Sequence, residues 1–572
     1  MIFNNIVINP SFILYFVGTI AILSKMIIQK INIKLIPFSK IILFLGLGYV
    51  TYYTDITLNI DDNFLSSKQN FELYNNRYVA PILYFLYFIG YAAILFDIKA
   101  QNNKIFSYYF YIASAVGAIT SGNLFVAFVY LEVISILSII IILTDTKRQD
   151  VGMAYVIVHC ISGVLMMVGV VGYILNSQNI GITSSVNFTN VVWVWKIPEL
   201  LFLIGLLMNL GVPPFSYIIT ECYTIIDSFS AVILSTVSTK IYLLFFINTF
   251  FGIDFLYIIG GIMIVYSGIC AIINSDLRRI INHWMILHLG VIISFCASDN
   301  SFNHNSLGFV LFMNMIAMFC VSVCVGILYD LHPEYVRNIS HDESNYSMKN
   351  KILKCLIIFF LIANIIGLPF TVSFFADVAL YSNNNIINIL HMIGQFFCCI
   401  IGTKIIAESL NSVNKKVNNL VHYKMINWII LAAITSIMVV IIIANIYNIF
   451  DKYLLDTFHI DYKIFIIEII ICLITYYLIS IKSIKIGGKF GFDLIWIYER
   501  ILIPLFKIIK IFVITMHDFG NKIIINILQI IYKKYIVINN EYIEKNIFYN
   551  KNSIWALSIF IFIIIISVII NV

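Results

Sequence analysis

Charged side chains are scarce in this sequence. Asp, Glu, Lys and Arg make up 11% of the 572 residues, whereas a soluble protein carries roughly 25%. Hydrophobic residues make up 61%, and the mean hydropathy is +0.97. This composition excludes an ordinary soluble protein. It predicts an all-α polytopic membrane protein, because helices satisfy their own backbone hydrogen bonds within lipid.

Short chemical signatures are also missing. The motifs GxxxxGK[ST], GxGxxG and CxxC do not occur, so the sequence offers no nucleotide, flavin or iron–sulfur site of these kinds. Most of the ten cysteines lie in apolar runs and are interpreted as core residues. We therefore predict no cofactor, no metal and no catalytic redox site in this chain. The net charge of +6 is assigned to loop orientation and not to nucleic-acid binding.

Apolar runs long enough to cross a membrane are abundant. A helix needs about 20 apolar residues to do so, and we count sixteen predicted spans. They lie near residues 11–28, 36–53, 79–97, 105–120, 123–143, 152–175, 199–221, 229–250, 255–273, 280–297, 306–330, 352–380, 385–407, 424–446, 462–480 and 553–571. If the N-terminus lies outside, every basic loop cluster falls on the inside, as the positive-inside rule requires.

The spans divide the chain into five segments. Residues 1–104 hold the N-terminal helices, 105–407 a central core and 408–489 the C-terminal helices. In residues 490–552, lysines interrupt the apolar residues, which predicts an amphipathic helix region on the inner face. That region would either brace the other spans or lie on the surface with no mechanical role. A final span is predicted within 553–572.

Proline is rare, and its positions are informative. Of nine prolines, Pro213, Pro214 and Pro369 fall deep inside predicted spans, just after Gly211 and Gly367. Proline removes a backbone donor and clashes with the preceding turn, so each span is predicted to break there. Within lipid, a broken helix survives only where it faces protein or a water-filled cavity.

Both predicted breaks fall in the fourth helix of a five-helix group. The groups are residues 105–250 and 255–407. Five is an odd number, so the second group is predicted to run with inverted topology. Interrupted helices at matching places of two inverted halves indicate a transport site.

Three ionisable residues lie inside predicted spans: Glu132, Lys240 and Asp377. A charge at the centre of a span costs roughly 2.5–3.5 kcal/mol on insertion scales, so such residues usually face the interior or water. Together they are typical of a proton or ion path. The alternative is a buried ion pair that only fixes the helix register.

Five further polar residues would line such a path. Asn209 and Ser216 are seven residues apart across the first break and are predicted to share a face, while Glu221 lies at the corner that follows. His283 and His288 lie in the tenth predicted span, where each is either a proton carrier or a hydrogen-bonded packing residue. Their spacing of five places them on different faces and argues against a shared metal or haem site.

At these positions the chain resembles the antiporter-like membrane subunits of respiratory complex I (NADH:quinone oxidoreductase) and of Mrp-type sodium/proton antiporters, including the D-type subunits of the latter. The segment NLFVAFVYLE at 123–132 is similar to the family pattern D-L-F-x-x-F-V-x-W-E. The segment NLGVPPFSYIITEC at 209–222 resembles the family's broken seventh helix, FSAVILSTVSTK at 229–240 its eighth, and DLRRIINHWMILHLG at 276–290 its D-L-K-R segment. GLPFTVSFFAD at 367–377 is similar to its second broken helix.

This resemblance carries Glu132, Lys240 and Asp377 over as family positions, but four other residues depart from it. The family's central lysine is replaced by Asn209 and a histidine by Ser216; Asn314 and Met318 stand where a histidine and a lysine are frequent. Asparagine does not bind and release a proton near neutral pH. We therefore predict a divergent member of the family.

The resemblance implies a membrane subunit that conducts protons along a polar axis at mid-membrane depth. Lys240 would be the central relay, Asp377 the terminal group of the second half and Glu132 an electrostatic partner. The implied partners are other membrane subunits, lipid, protons, and sodium or potassium. Two alternatives stay open: a scaffold paralogue that has lost the relay, and an unrelated secondary transporter for a small solute. We favour a bacterial inner membrane over an organellar one.

Overall fold

The computed structural model describes residues 9–30, 37–59, 79–96, 104–121, 124–145, 148–177, 197–297, 304–331, 336, 348–368, 371–379 and 385–411. They form helices with short connections and belong to one compact unit that spans residues 1–496. The predicted spans after residue 407 and the amphipathic region at 490–552 lie outside the described residues.

The helices are numbered here in chain order. They are α1 (Pro10–Lys30), α2 (Pro37–Asn59), α3 (Val79–Phe96), α4 (Lys104–Thr120), α5 (Leu124–Asp145), α6 (Gln149–Ser177), α7 (Ile197–Asn209), α8 (Tyr217–Thr220), α9 (Cys222–Ile225), α10 (Ser228–Thr249), α11 (Phe255–Ile273), α12 (Leu277–Cys296), α13 (His304–Leu331), α14 (Met348–Ile366), α15 (Val372–Ala379) and α16 (Asn385–Asn411).

The described residues form the helices of an all-helical, multi-pass membrane protein. Eight of these helices are long and apolar enough to cross a membrane, and four more contain shorter apolar stretches. Each span predicted before residue 408 falls on a described helix or on a broken helix pair, although α4 (Lys104–Thr120) is not among these twelve. The total of sixteen spans and the inversion of the second group stay predictions.

The last helix of each five-helix group has corresponding neighbours. Helix α10 packs against α4, α5 and α7, the first, second and fourth helices of its group. Helix α16 packs against α11, α12 and α14, which hold the same places in the other group. The groups meet where α10 packs along α13. The same packing scheme therefore occurs twice in the chain.

Three helices form the interior. In α10, α12 and α13, 94% of the residues of each apolar span are buried, against 50% in α5 and 39% in α6. Helix α6 exposes large apolar side chains such as Ile157 and Val164, as a lipid-facing helix does. The interior helices carry polar side chains, which must find their partners inside the protein.

Candidate functional site

The first break is a helix end of a common kind. Gly211 has φ +70°, a conformation that side chains disfavour. The N–H of Val212 donates to the carbonyl of Leu207 at 3.1 Å, five residues back, which is the bond that closes a helix on a left-handed glycine. Pro213 and Pro214, joined by a cis peptide bond, follow at once and cannot continue the helix.

The second break has the same construction. Gly367 has φ +77°, and the N–H of Leu368 donates to the carbonyl of Ala363 at 2.9 Å, again five residues back. The N–H of Thr371 then donates to the Leu368 carbonyl at 3.0 Å, and the equivalent turn follows the first break. Pro369 itself lies outside the described residues. Both helices thus end beside the glycines singled out in the sequence.

An acidic residue follows each of these glycines by ten positions, Glu221 in one case and Asp377 in the other. The Glu221 Oε2 atom lies 2.8 Å from Nη2 of Arg279. The Asp377 Oδ1 atom lies 3.5 Å from Nε2 of His391. An arginine stays charged throughout the biological pH range, whereas a histidine can lose its proton. The two breaks therefore hold their acids with partners of different chemistry.

The carboxylate of Asp377 lies directly against its break. A Cβ atom added at Gly367 would come within 2.8 Å of the Asp377 Oδ2 atom. A Cβ atom added at Gly211 would instead meet the Ile219 side chain at 2.4 Å. Glycine therefore makes room for a carboxylate at the second break and for an apolar side chain at the first.

The first turn of α12 supports the first break. Asp276 is the N-cap residue and accepts from the N–H groups of Arg278 at 2.9 Å and Arg279 at 3.4 Å. Burial raises the pKa of Asp276, and the charge of Arg279 offsets part of this effect. This cap fixes both arginines at the helix end that faces α8 and α9.

Arg278 binds the end of the short helix α9. Its guanidinium donates to the carbonyls of Thr224 at 3.0 Å and Ile226 at 2.8 Å, and to Ser228 Oγ at 2.7 Å. It also lies 3.7 Å from the centre of the Tyr329 ring on α13. These carbonyls have lost their helical partners, so the arginine satisfies groups that a broken helix leaves open.

Other side chains of α12 bind carbonyls near both breaks. Asn282 Nδ2 donates to the Ile219 carbonyl of α8 at 3.3 Å. Trp284 Nε1 donates to the Ile365 carbonyl of α14, also at 3.3 Å, two residues before Gly367. One interior helix therefore holds both interrupted helices.

Lys240 lies at the centre of α10 and is fully buried, with 0% of its surface exposed. Its ammonium donates to the carbonyl of Ser235 at 3.0 Å and to Thr239 Oγ1 at 3.1 Å. It forms no ion pair with a carboxylate among the described residues. A buried lysine held by neutral oxygens is suited to gain and release a proton, because nothing of opposite charge fixes it in the charged form.

His288 lies between Lys240 and the second break. Its ring is close enough to interact electrostatically with Lys240, Asp377 and His391. Its Nε2 atom lies 3.7 Å from Sγ of Cys398 on α16. Lys240 and Asp377 thus both lie within electrostatic reach of His288, and we call these three residues the ionisable line.

Glu132 lies apart from that line, on α5. Its Oε2 atom occupies space over Gly163 of α6, where an added Cβ atom would be 2.5 Å away. Its Oε1 atom is buried and has no hydrogen-bond partner within the described ranges. It is close enough to interact electrostatically with Tyr242, two residues beyond Lys240.

Asn209 and Ser216 do not share a face, contrary to the prediction. Asn209 Oδ1 accepts from Ser162 Oγ of α6 at 3.1 Å, whereas Ser216 Oγ donates to the Tyr266 hydroxyl of α11 at 3.5 Å. The helix ends at Asn209, so helical periodicity does not carry across the break. The His283 ring lies 6.3 Å from the Tyr266 ring, which associates it with Ser216.

A small cavity lies on the first-break side of Lys240. It holds about 20 Å³ of space open to a water molecule, and one water needs roughly 10–15 Å³ by this measure. Polar groups of α9, α10, α12 and α13 line it, and Ser235 and Ser322 hydroxyls bond across it at 3.0 Å. The lining residues include Tyr223, Ser228, Ser235, Arg278, Asn282 and Ser322. The carbonyl of Ser235 is the one that Lys240 binds, so the cavity leads towards the lysine.

A cluster at the membrane edge joins three helices. Lys104 at the start of α4 forms ion pairs with Asp145 of α5 and with Asp227, which precedes α10. Burial alone would lower the pKa of Lys104, but hydrogen bonds from Lys104 to both carboxylates and their charges raise it overall. This lysine therefore stays charged and fixes the helix ends.

Sequence reasoning missed two histidines and the importance of Arg278. His159 on α6 is buried one turn before Gly163, its Nδ1 atom has no partner in the described part of the chain, and its ring lies 4.2 Å from that of Tyr155. His391 pairs with Asp377. Both histidines lie in apolar spans, which was a usable signal. Within the described ranges, no three His, Cys, Asp or Glu side chains are grouped as a metal site would require.

The fold and the geometry define a class: a multi-pass membrane protein with paired broken helices beside buried ionisable groups. Residues 121–405, about half of the chain, match the sequence model of a family described as NADH:quinone oxidoreductase/Mrp antiporter, transmembrane. Through this region the chain belongs to the antiporter-like superfamily of complex I and Mrp membrane subunits.

Two curated relatives match in sequence. The D-type subunit of the Na(+)/H(+) antiporter of Alkalihalophilus pseudofirmus is 23% identical over 318 residues, which cover 51% of this chain and 63% of that protein. An uncharacterised protein of Methanocaldococcus jannaschii is 23% identical over 193 residues, covering 32% of this chain and 40% of that protein. The chain thus spans less than two thirds of the length of either relative.

Two solved structures share the fold. A chain of the membrane-bound sulfane sulfur reductase, an archaeal respiratory membrane complex, has a TM-score of 0.62 and 14% identity, and the match covers 77% of this chain and 96% of that one. A chain of respiratory complex I from Thermus thermophilus has a TM-score of 0.56 and 11% identity, covering 75% of this chain and 97% of that one. At these identities the likeness concerns the fold alone.

Proposed function

We propose that this chain conducts protons through the membrane as one component of a complex I-like or Mrp-type assembly. Sodium or potassium would be exchanged where the assembly is an antiporter. Any redox chemistry would belong to partner subunits, and the assembly would lie in a bacterial inner membrane. Two inverted five-helix repeats would supply the two halves of the path.

One observation carries this proposal: the line from Lys240 through His288 to Asp377. Lys240 is fully buried without a carboxylate partner among the described residues, and His288 interacts with both ends of the line. A charge that only fixed helix register would be expected to sit in an ion pair. Ionisable groups inside a membrane protein usually mark proton or ion paths.

The roles follow from position. Lys240 would be the central relay between the water-sized cavity and His288. Asp377, with His391, would release or take up the proton at the second break. Glu132 would act on the first half as an electrostatic partner. Asn209, Ser216, Glu221 and His283 would line or stabilise the first-break side without carrying the proton themselves.

The test is proton flux in vesicles that contain the assembled complex, with a pH-sensitive dye inside and an imposed pH gradient. We expect Lys240→Ala to reduce flux to the level of empty vesicles. Lys240→Arg should do the same, because arginine keeps the charge but does not release a proton. Co-purification of the partner subunits controls for assembly. Wild-type flux in both variants would contradict the proposal.

The second candidate is a scaffold protein that keeps the fold without the relay. Asn209 and Met318 favour it, since both stand where the resembling family has ionisable residues. Asn209→Lys separates the two. A gain in flux indicates a path that has weakened, whereas no change, together with full tolerance of Lys240→Ala, indicates a scaffold.

A further inference from the structure

A cluster of buried hydroxyl groups lies between Glu132 and the cavity beside Lys240. It consists of three tyrosine–serine pairs: Tyr155 with Ser138 at 2.9 Å, Tyr242 with Ser135 at 2.7 Å, and Tyr223 with Ser238 at 2.9 Å. All six side chains are buried, and none is more than 5% exposed. The pairs join α5, α6, α9 and α10, and we call them the hydroxyl cluster.

The pairs are close to one another. Tyr155 and Tyr223 are near enough to interact electrostatically. Tyr111 of α4 lies beside Tyr223 and Tyr242, and its buried hydroxyl is near Ser238. A seventh hydroxyl therefore lies next to the three pairs.

The cluster has two ends with different surroundings. At one end Tyr223 lines the water-sized cavity, together with Ser235 and Arg278. At the other end Tyr242 interacts with Glu132, whose Oε1 atom has no hydrogen-bond partner in the part of the chain that the structure describes. A carboxylate oxygen without a partner among the described residues and a cavity large enough for one water thus lie at opposite ends of the hydroxyl cluster.

We propose that the hydroxyl cluster carries protons between the cavity and Glu132, and so replaces the ionic link that Asn209 cannot provide. This inference rests on the proposed function. A hydroxyl group both donates and accepts. Tyr242 donates to the Leu131 carbonyl and Ser238 to the Leu234 carbonyl, so each hydroxyl must turn from its carbonyl towards the next oxygen to pass a proton on. Glu132 loses one proton, and water in the cavity, from which Lys240 is supplied, gains one. No bond to carbon changes, and no oxidant or reductant is needed.

The test uses phenylalanine, which removes a tyrosine hydroxyl and keeps the ring. Flux is measured in vesicles that contain the assembled complex, as for Lys240. We expect Tyr223→Phe to lower flux about tenfold, because Tyr223 is the cluster's contact with the cavity, and Tyr242→Phe to do so as well. Tyr109→Phe is the matched control: its hydroxyl on α4 is equally buried and without a partner among the described residues, but it faces α1. It should stay within twofold of wild type.

A merely structural role for the hydroxyls predicts another result. Loss of hydrogen bonds would then lower thermal stability and leave the solvent isotope effect on flux unchanged, whereas a relay makes flux in D₂O slower in wild type and removes that dependence in the variants. If Tyr223→Phe assembles poorly, Ser238→Ala and Ser238→Thr replace it. We expect threonine, which keeps a hydroxyl, to retain flux and alanine to lose it.

The outcomes separate this inference from the proposed function. Full flux in both Tyr223→Phe and Tyr242→Phe, while Lys240→Ala abolishes it, would overturn the relay and leave the main path standing. Full flux in Lys240→Ala would overturn both. Loss of flux in the two cluster variants but not in Tyr109→Phe supports the relay.

Discussion

The break at Gly211 and the break at Gly367 begin with the same cap and diverge ten residues later. Each helix ends on a left-handed glycine, and the next residue bonds back to a carbonyl five residues earlier. The first acid, Glu221, then pairs with Arg279, whereas the second, Asp377, pairs with His391 and lies against its own glycine.

The two helix ends therefore have the same backbone conformation but different side-chain partners for the acid that follows. A permanently charged arginine neutralises Glu221 at every biological pH, which is what a support needs. Asp377 instead contacts a histidine, a side-chain type that can bind and release a proton, as a relay requires. The acid that follows the first break is thus held by an arginine, and the acid that follows the second break by a histidine.

The largest difference in proton flux between the two breaks is expected when Asp377 and Glu221 are each replaced by the neutral amide. Asp377→Asn should lower proton flux at least about tenfold, since proton-transfer groups contribute factors of roughly 10² to 10⁴. Glu221→Gln should keep flux within about twofold but lower the melting temperature, because a partly buried Arg279 that loses this partner costs about 1–3 kcal/mol. The dye assay and a thermal melt of the complex measure both. Equal loss of flux in the two variants would remove the distinction between the breaks.

The two glycines give a sharper comparison of intermediate size. Gly211→Ala and Gly367→Ala each force a side chain into the left-handed region, at about 1–2 kcal/mol. Both should therefore lower the melting temperature. Gly367→Ala should also lower flux several-fold, since its Cβ would displace the Asp377 carboxylate, whereas the Cβ of Gly211→Ala would press on the apolar side chain of Ile219. Identical flux in the two alanine variants would show that the carboxylate position is unimportant.

The smallest effect is expected at Gly163, on the first-half side. Gly163→Ala would press on the end of the flexible Glu132 side chain, and a displaced rotamer costs about 0.5–1.5 kcal/mol. We expect flux to fall about twofold with little change in stability, because alanine is favoured over glycine inside a helix by about 0.5–1 kcal/mol, which offsets that cost. Gly261→Ala is the control, because its nearest contact would be an ordinary 3.4 Å to Leu390. A loss of flux in Gly163→Ala as large as that in Asp377→Asn would indicate that the main proton path runs through Glu132.

Much of the fold was accessible from the sequence, because apolar length and Gly-x-Pro patterns act locally. The helices around Lys240 and Asp377 follow from runs of apolar residues, and the two breaks follow from backbone chemistry at Gly211 and Gly367. Membership of the antiporter-like superfamily also followed from motifs, and the family match confirms it.

The pairing of side chains was not accessible. Arg279 binds Glu221 from 58 residues away, and Trp284 binds the Ile365 carbonyl from 81. Such contacts depend on how each helix is rotated. When a helix is apolar on all sides, its sequence does not indicate which face packs against which neighbour. The prediction that Asn209 and Ser216 share a face is wrong for a related reason. It extends the helical periodicity past Asn209, where the helix ends.

Helix α12 joins the two breaks in a way that bears on how the halves communicate. Near its start Asn282 binds the first interrupted helix, and further along Trp284 and His288 reach the second. A rigid rod of 20 residues is about 30 Å long. Any shift of this rod along its axis would therefore move a hydrogen-bond donor at both breaks at once.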